Sequence, residues 1–118
     1  MFSIAKNNSI TITRGDSAST SIFINRGDLL EVEQYQFQPE DVVYVGVMEY
    51  GQRFEDAIIK YKLTAEDLDA DGCPILHFSS TDTEYLEPGT YFYEVKLSRD
   101  NGAWVDTVVS KTPIYIQD

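Results

Sequence analysis

The chain has 118 residues, 42% of them hydrophobic, with 9 basic residues against 20 acidic ones and a formal net charge of −11. This length suits a single domain, 1–118, which can bury roughly two-thirds of the surface its unfolded form exposes, so the core needs no covalent staple. The charge argues against nucleic-acid and anionic-membrane partners, whose binders gain affinity by neutralising phosphates with Lys and Arg. It reads as solubility, with a basic partner surface as the sharper alternative.

The single cysteine, Cys73, excludes an intramolecular disulfide. It fits a reducing compartment, and burial as a small hydrophobe is its expected state. No apolar run approaches the roughly 20 residues that span a bilayer. The opening Met1 to Asn8 has one lysine and no apolar stretch of signal-peptide length, so the chain reads as one not addressed to a secretion channel.

Period-two alternation runs through the whole sequence. Ile10-Thr11-Ile12-Thr13 alternates and ends in the turn Arg14-Gly15-Asp16. Ala18 to Ile24 places Thr20, Ile22 and Ile24 on one face. Val42 to Met48 is nearly all apolar, as in an interior strand covered on both sides, with Val43, Val45 and Val47 opposite Tyr44 and Met48. Ala57, Ile59, Tyr61 and Leu63 oppose Ile58, Lys60 and Lys62, and Ile75 to Phe78 is a further short run. Tyr91, Tyr93, Val95 and Leu97 alternate with Phe92, Glu94, Lys96 and Ser98, and Trp104–Val109 and Pro113–Ile116 close the chain. Asn101-Gly102 tolerates the positive φ of a tight turn, so Tyr91–Arg99 and Ala103–Val109 are expected to form a hairpin. Pro113 lacks a ladder donor and marks an edge strand or a bulge. Thr64–Leu68 and Thr81–Leu86 each allow one helical turn, the second with Thr81 as cap and Glu84 three residues on. The pattern predicts an all-β fold, an immunoglobulin-like antiparallel β-sandwich of about seven strands.

Few residues point to chemistry. Pro88-Gly89 leads into a strand with Tyr91 two residues later, the spacing of a tyrosine corner, in which the ring packs inward and the hydroxyl bonds nearby backbone. Asp67, Asp69, Asp71 and Gly72 match the first half of a calcium loop, whose alternate carboxylates can converge on a cation, but the place of the bidentate Glu holds Phe78. A solvated acidic hairpin is the competing reading. Arg14-Gly15-Asp16 and Arg26-Gly27-Asp28 spell the tripeptide that integrins recognise, although all three residues are also common in turns. His77 is the only histidine, and Cys73 on the same segment is roughly 13 Å away if extended, too far for a thiolate pair. No nucleophile elbow and no phosphate-cradling glycine motif occurs, and acidic pairs such as Glu31/Glu33, Glu40/Asp41 and Glu55/Asp56 arise readily among 20 carboxylates. No enzyme and no cofactor is therefore expected. Trp104, Tyr50 and Tyr115, with Tyr44, are the candidates for a contact surface.

The order of landmarks is informative as a set. Ile10-Thr11-Ile12-Thr13-Arg14-Gly15-Asp16 is followed by Tyr35-Gln36-Phe37-Gln38-Pro39-Glu40-Asp41-Val42-Val43-Tyr44-Val45, and then by Leu86-Glu87-Pro88-Gly89-Thr90-Tyr91-Phe92-Tyr93 before a closing hairpin. This resembles the small immunoglobulin-like proteins of tail and baseplate modules in phages and prophages of Gram-positive bacteria, whose domains carry a similar T-R-G-D start and L-x-x-G-x-Y strand. The resemblance implies a structural role, docking by protein–protein contact into a virion tail or baseplate as one copy in a symmetric ring. The acidic surface would meet basic patches on neighbouring tail proteins. The place would be the virion, or the bacterial cytoplasm during assembly. The alternative is an adhesion or carbohydrate-binding module of a bacterial surface protein.

Overall fold

In a computed structural model, which describes residues 2–26 and 33–118, the alternating runs become strands. In chain order these are β1 (Phe2–Ile4), β2 (Ile10–Thr13), β3 (Ala18–Ser21), β4 (Asn25–Arg26), β5 (Glu33–Gln34), β6 (Val42–Met48), β7 (Ile59–Leu63), β8 (Ile75–Phe78), β9 (Gly89–Arg99) and β10 (Trp104–Gln117). The chain is all-β, with one helical turn, α1 (Ser80–Thr83), and three short 3-10 turns among the described residues. Seven of the ten strands have four residues or more and account for the strands legible as alternation. β1, β4 and β5 have two or three residues, too few to show a period.

Six strands form one curled sheet in the order β1-β2-β10-β9-β6-β7, while β3 pairs with β8 and β4 with β5. The expectation of a wholly antiparallel arrangement needs correction. β2 and β10 run parallel, with Ile10 opposite Ile114 and Ile12 opposite Ile116, so the large sheet is mixed. All four isoleucines are buried, and side-by-side parallel pairing puts them on the same face. Trp104–Val109 and Pro113–Ile116 prove to be one strand, with register shifts between Thr107 and Val109 and between Val109 and Thr112. The second shift lies just ahead of Pro113, the place where the missing N–H pointed to a bulge. The hairpin to β9 forms, with Arg99 opposite Trp104. Asp100, Asn101 and Gly102 all take positive φ (53°, 55° and 94°), so its loop is longer than a two-residue turn.

One face of each long strand builds the core: Val43, Val45 and Val47 from β6, Leu63 from β7, Tyr91, Tyr93, Val95 and Leu97 from β9. The ladder of β3 stops at Ser21, but the chain stays extended and delivers Ile22 and Ile24 to the same core. β6 is covered on its other face at Gly46 and Met48 but open at Tyr44. Gly46 is needed there, because a Cβ would lie 3.0 Å from the Phe54 ring and 3.1 Å from the Ala57 methyl. Phe54 in turn carries the Lys96 ammonium 4.7 Å from its ring centre.

Phe78, 1% exposed, links the two ends of the large sheet. Its ring centre lies 6.3 Å from Phe2 on edge strand β1 and 5.5 Å from Tyr61 on edge strand β7, the latter edge-on. One side chain of the small β3–β8 sheet thus meets both edges of the six-stranded sheet, which is possible only because that sheet curls. The Tyr61 hydroxyl donates to Asp82 just past α1's start (3.0 Å), and burial followed by that carboxylate's charge pushes its pKa far upward. The turn itself starts two residues before the position expected for it, at Ser79, whose N–H donates to Asp82 at 2.8 Å. Removing the Phe78 ring should leave a cavity between three strands: Phe78→Ala is expected to destabilise by about 3–5 kcal/mol in denaturant unfolding, whereas Tyr85→Ala, at an exposed position, should shift the midpoint little.

Candidate functional site

Tyr91 sits at the start of β9 with its ring buried, and its hydroxyl donates to the Glu87 carbonyl at 2.6 Å, four residues upstream. Gly89 precedes it and Pro88 shapes the turn; burial and the nearby Glu49 and Glu87 charges raise its pKa. The acidic run 67–72 is arranged as a hairpin. Asp67 accepts the Thr64 N–H (2.8 Å) and closes a 3-10 turn. Asp69 accepts the N–H groups of Asp71 (2.8 Å) and Cys73 (2.9 Å) and the Ser21 hydroxyl (2.6 Å), while Gly72 takes φ 82°. These bonds hold the Asp69 carboxyl below its ordinary pKa, with the Ser21 bond the largest cause. Asp67 and Asp69 are thus directed to different backbone donors. Among the described residues no group of three or more His, Cys, Asp or Glu side chains converges as a metal-ligand set. Cys73 is buried, and desolvation raises its thiol pKa.

Arg14-Gly15-Asp16 forms a turn fastened into the fold. The Arg14 guanidinium donates to Asp118 (2.6 Å), the Gly15 N–H to the Thr83 hydroxyl (3.0 Å), and the Asp16 N–H to the Thr13 carbonyl (3.0 Å). Gly27 and Asp28 of the second copy, Arg26-Gly27-Asp28, and Glu31 of the Glu31/Glu33 pair fall outside the described residues. Glu55 and Asp56 are exposed on a 3-10 turn, and Glu40 is exposed beside a buried Asp41, so neither pair shares one environment. His77 is exposed, and its Nδ1 lies 2.7 Å from the Ser19 hydroxyl, its ladder partner on β3. Sequence reading missed that pair because the residues are 58 positions apart and only the β3–β8 register joins them.

The four aromatic candidates divide between two places. Tyr50 is 88% exposed and its ring lies 6.2 Å from Phe92. Tyr115 pairs with Thr90, two residues before Phe92, so both tyrosines stand on the outer face of the sheet. Tyr44 is also on that face, between Lys62 and Lys96 in the ladder. Trp104 stands apart. It pairs with Arg99, and two residues on Asp106 pairs with the buried Leu97, so Trp104 lies on the core-facing side of β10 but beyond the core.

There the barrel-like curl stays open. A cleft of about 600 Å³ runs between Phe23 and Ile24 on one side and Asp106–Val109 on the other, ending at Tyr35 and Arg99. A second cleft of about 200 Å³ continues it between Thr20–Phe23 and Ile4, Asn8 and Ile10. The two share Asn8, Phe23 and Val109, and Leu76, Tyr93, Val95 and Leu97 from the core line their depths. Two of the exposed large apolar residues line this seam, Ile4 (44%) and Phe23 (51%), and Trp104 (60%) lies beyond its end on the same side of β10 as Asp106. At one end Arg99 pairs with Asp106 (2.9 Å) and lies over the Tyr35 ring (5.9 Å). The Tyr35 hydroxyl donates to the buried Asp41 carboxylate at 2.5 Å, which also accepts the Gln38 N–H. Burial, then that carboxylate, lifts the Tyr35 pKa to about 12. Phe23 could have been found in the sequence, as an apolar residue out of phase with Ile22 and Ile24; the Arg99–Asp106 pair follows only once the hairpin register is known.

Compared with models of known protein families and with curated proteins, the chain matches none. Two measurements check the local chemistry. Tyr91→Phe removes one hydrogen bond from a buried hydroxyl and is expected to cost on the order of 1 kcal/mol in unfolding free energy; a neutral result would deny the bond any structural weight. Asp69 has a folded pKa below its ordinary 3.8, so its stabilisation is present above that value and is lost as pH falls through the lower folded one. Asp69→Asn should accordingly make the acid limb of the stability–pH curve shallower than in the parent protein.

Proposed function

We propose that this chain is a non-catalytic assembly module, an immunoglobulin-like sandwich of the kind found in phage and prophage tails or baseplates, which works by protein–protein contact. The observation that carries the reading is the apolar surface left open at the seam, with Ile4 and Phe23 exposed on its lining and Trp104 exposed beyond its end on the same side of β10. Isolated exposed apolar residues are ordinary, but several grouped together mark a surface that another molecule covers. Further support comes from the Pro88-Gly89 turn and the Tyr91 hydroxyl bond, which match the corner geometry of such sandwiches. The order of landmarks quoted above also fits. With a net charge of −11, the neighbours would present basic surfaces, and each copy would take one place in a ring built on them.

Co-expression with the products of adjacent tail genes, followed by size-exclusion chromatography with light scattering, tests the reading. A stoichiometric complex or a ring is expected. A protein that stays monomeric alone and in every such mixture would exclude the tail role, and a Trp104 emission change on adding glycans would then favour the adhesion or carbohydrate-binding alternative.

A further inference from the structure

We propose that the seam is a strand-acceptor site, taking one extended, positively charged segment of a different polypeptide between β3 and the Trp104–Val109 half of β10. The inference rests on the assembly reading and specifies its contact. Among the described residues, β3 is paired along one edge only, with β8. β10 meets β2 from Ile114 to Gln117, so among the described residues its Trp104–Val109 stretch is paired with β9 alone. Thr20 and Ser21 of β3 line the smaller cleft, Phe23 and Ile24 just past its ladder line the larger one with Asp106–Val109 of β10, and Phe23 and Val109 belong to both. An unpaired strand edge presents a row of backbone N–H and C=O groups, and an added strand satisfies them. In this proposal the stretch Thr20–Ile24 and the stretch Asp106–Val109, which border the joined clefts, both bond to one inserted strand.

The gap suits a strand in other respects. The open stretch of β10, six residues from Trp104 to Val109, has the length of an ordinary strand. The depths of the seam are apolar core and its borders carry Ile4 and Phe23, so alternate side chains of a guest find apolar surface. A second copy of this chain is a poor guest. Two chains of −11 repel, and the inward Asp106 and the bulge after Thr107 discourage flat edge-to-edge pairing of β10 with itself. The same charge attracts a segment flanked by Lys or Arg.

Main-chain bonds supply affinity in strand addition whatever the side chains, so a generic peptide is a fair probe at millimolar concentration. The probe is a synthetic peptide of alternating threonine and valine with paired lysines at both ends. Its controls have paired glutamates at the ends, or proline in place of two valines. With the full chain, the lysine-flanked peptide is expected to slow amide hydrogen exchange at least ten-fold in both 20–24 and 104–109. It should also shift the emission of Trp104, the only tryptophan, to the blue. The proline peptide should do neither, and the glutamate peptide should bind at least ten-fold more weakly. Phe23→Asp, at an exposed position, should raise the Kd of the lysine peptide at least ten-fold without changing the circular dichroism. Protection at neither edge, or at only one, would overturn the acceptor site, and equal binding of the glutamate peptide would overturn the basic guest. A complex with tail proteins in which both edges keep exchanging would also remove the acceptor site yet leave the assembly reading standing. Peptide protection without any tail complex would do the reverse.

Discussion

The position of the small β3–β8 sheet depends on one ring. Phe78 touches Phe2 on one edge of the large sheet and Tyr61 on the other, so it fixes how far that sheet curls. β8 is held there directly; β3 is held by its ladder to β8, from Ala18 opposite Phe78 to Ser21 opposite Ile75, by the Ser21 bond to Asp69, and by Ile22 and Ile24 just beyond it in the core. One wall of the seam therefore stands where Phe78 puts it. The other wall belongs to the β9–β10 ribbon, which is anchored separately by Val95, Leu97 and the pairing with β6. The gap lies between two separately anchored units, and Phe23 on its border is half exposed.

The acidity of the chain has a local explanation as well as a global one. Three aspartates repeat one device, a carboxylate accepting the backbone N–H three residues earlier: Asp41 from Gln38, Asp67 from Thr64 and Asp82 from Ser79. Asp69 reaches forward instead, to Asp71 and Cys73. Bonds to an ionised acceptor are stronger than neutral ones, and a fold made of short strands has many turns whose donors need partners. Part of the negative charge is thus tied to turn closure, and the same residues that resemble a calcium loop are employed by the backbone around them.

Alternation in the sequence was enough to place the inward residues of β2, β6, β7 and β9, because a half-buried strand cannot shift by one residue without exposing its apolar set. It also placed the closing hairpin, the irregularity before Pro113 and the turn that precedes Tyr91. Strand neighbours were not legible. Nothing in Ile10–Thr13 distinguishes a parallel partner from an antiparallel one, and the choice of β10 is made by long-range packing of Ile114 and Ile116. The candidate site was legible only in part. Trp104 stood out as a candidate and is exposed, but its separation from Tyr50 and Tyr115 depends on which face each strand position takes after two bulges. Ile4 and Phe23 acquire meaning only from the gap between strands that share no ladder.

The parallel pairing of β2 with β10 also constrains the order of folding. Ile10 and Ile12 are synthesised before their neighbours Ile114 and Ile116, which follow more than a hundred residues later. Contacts so remote in sequence require closure of nearly the whole chain before they return any stability. During synthesis β2 must therefore wait, one edge unpaired, until β10 has followed it, and an acidic, well-solvated chain is suited to surviving that interval without aggregating.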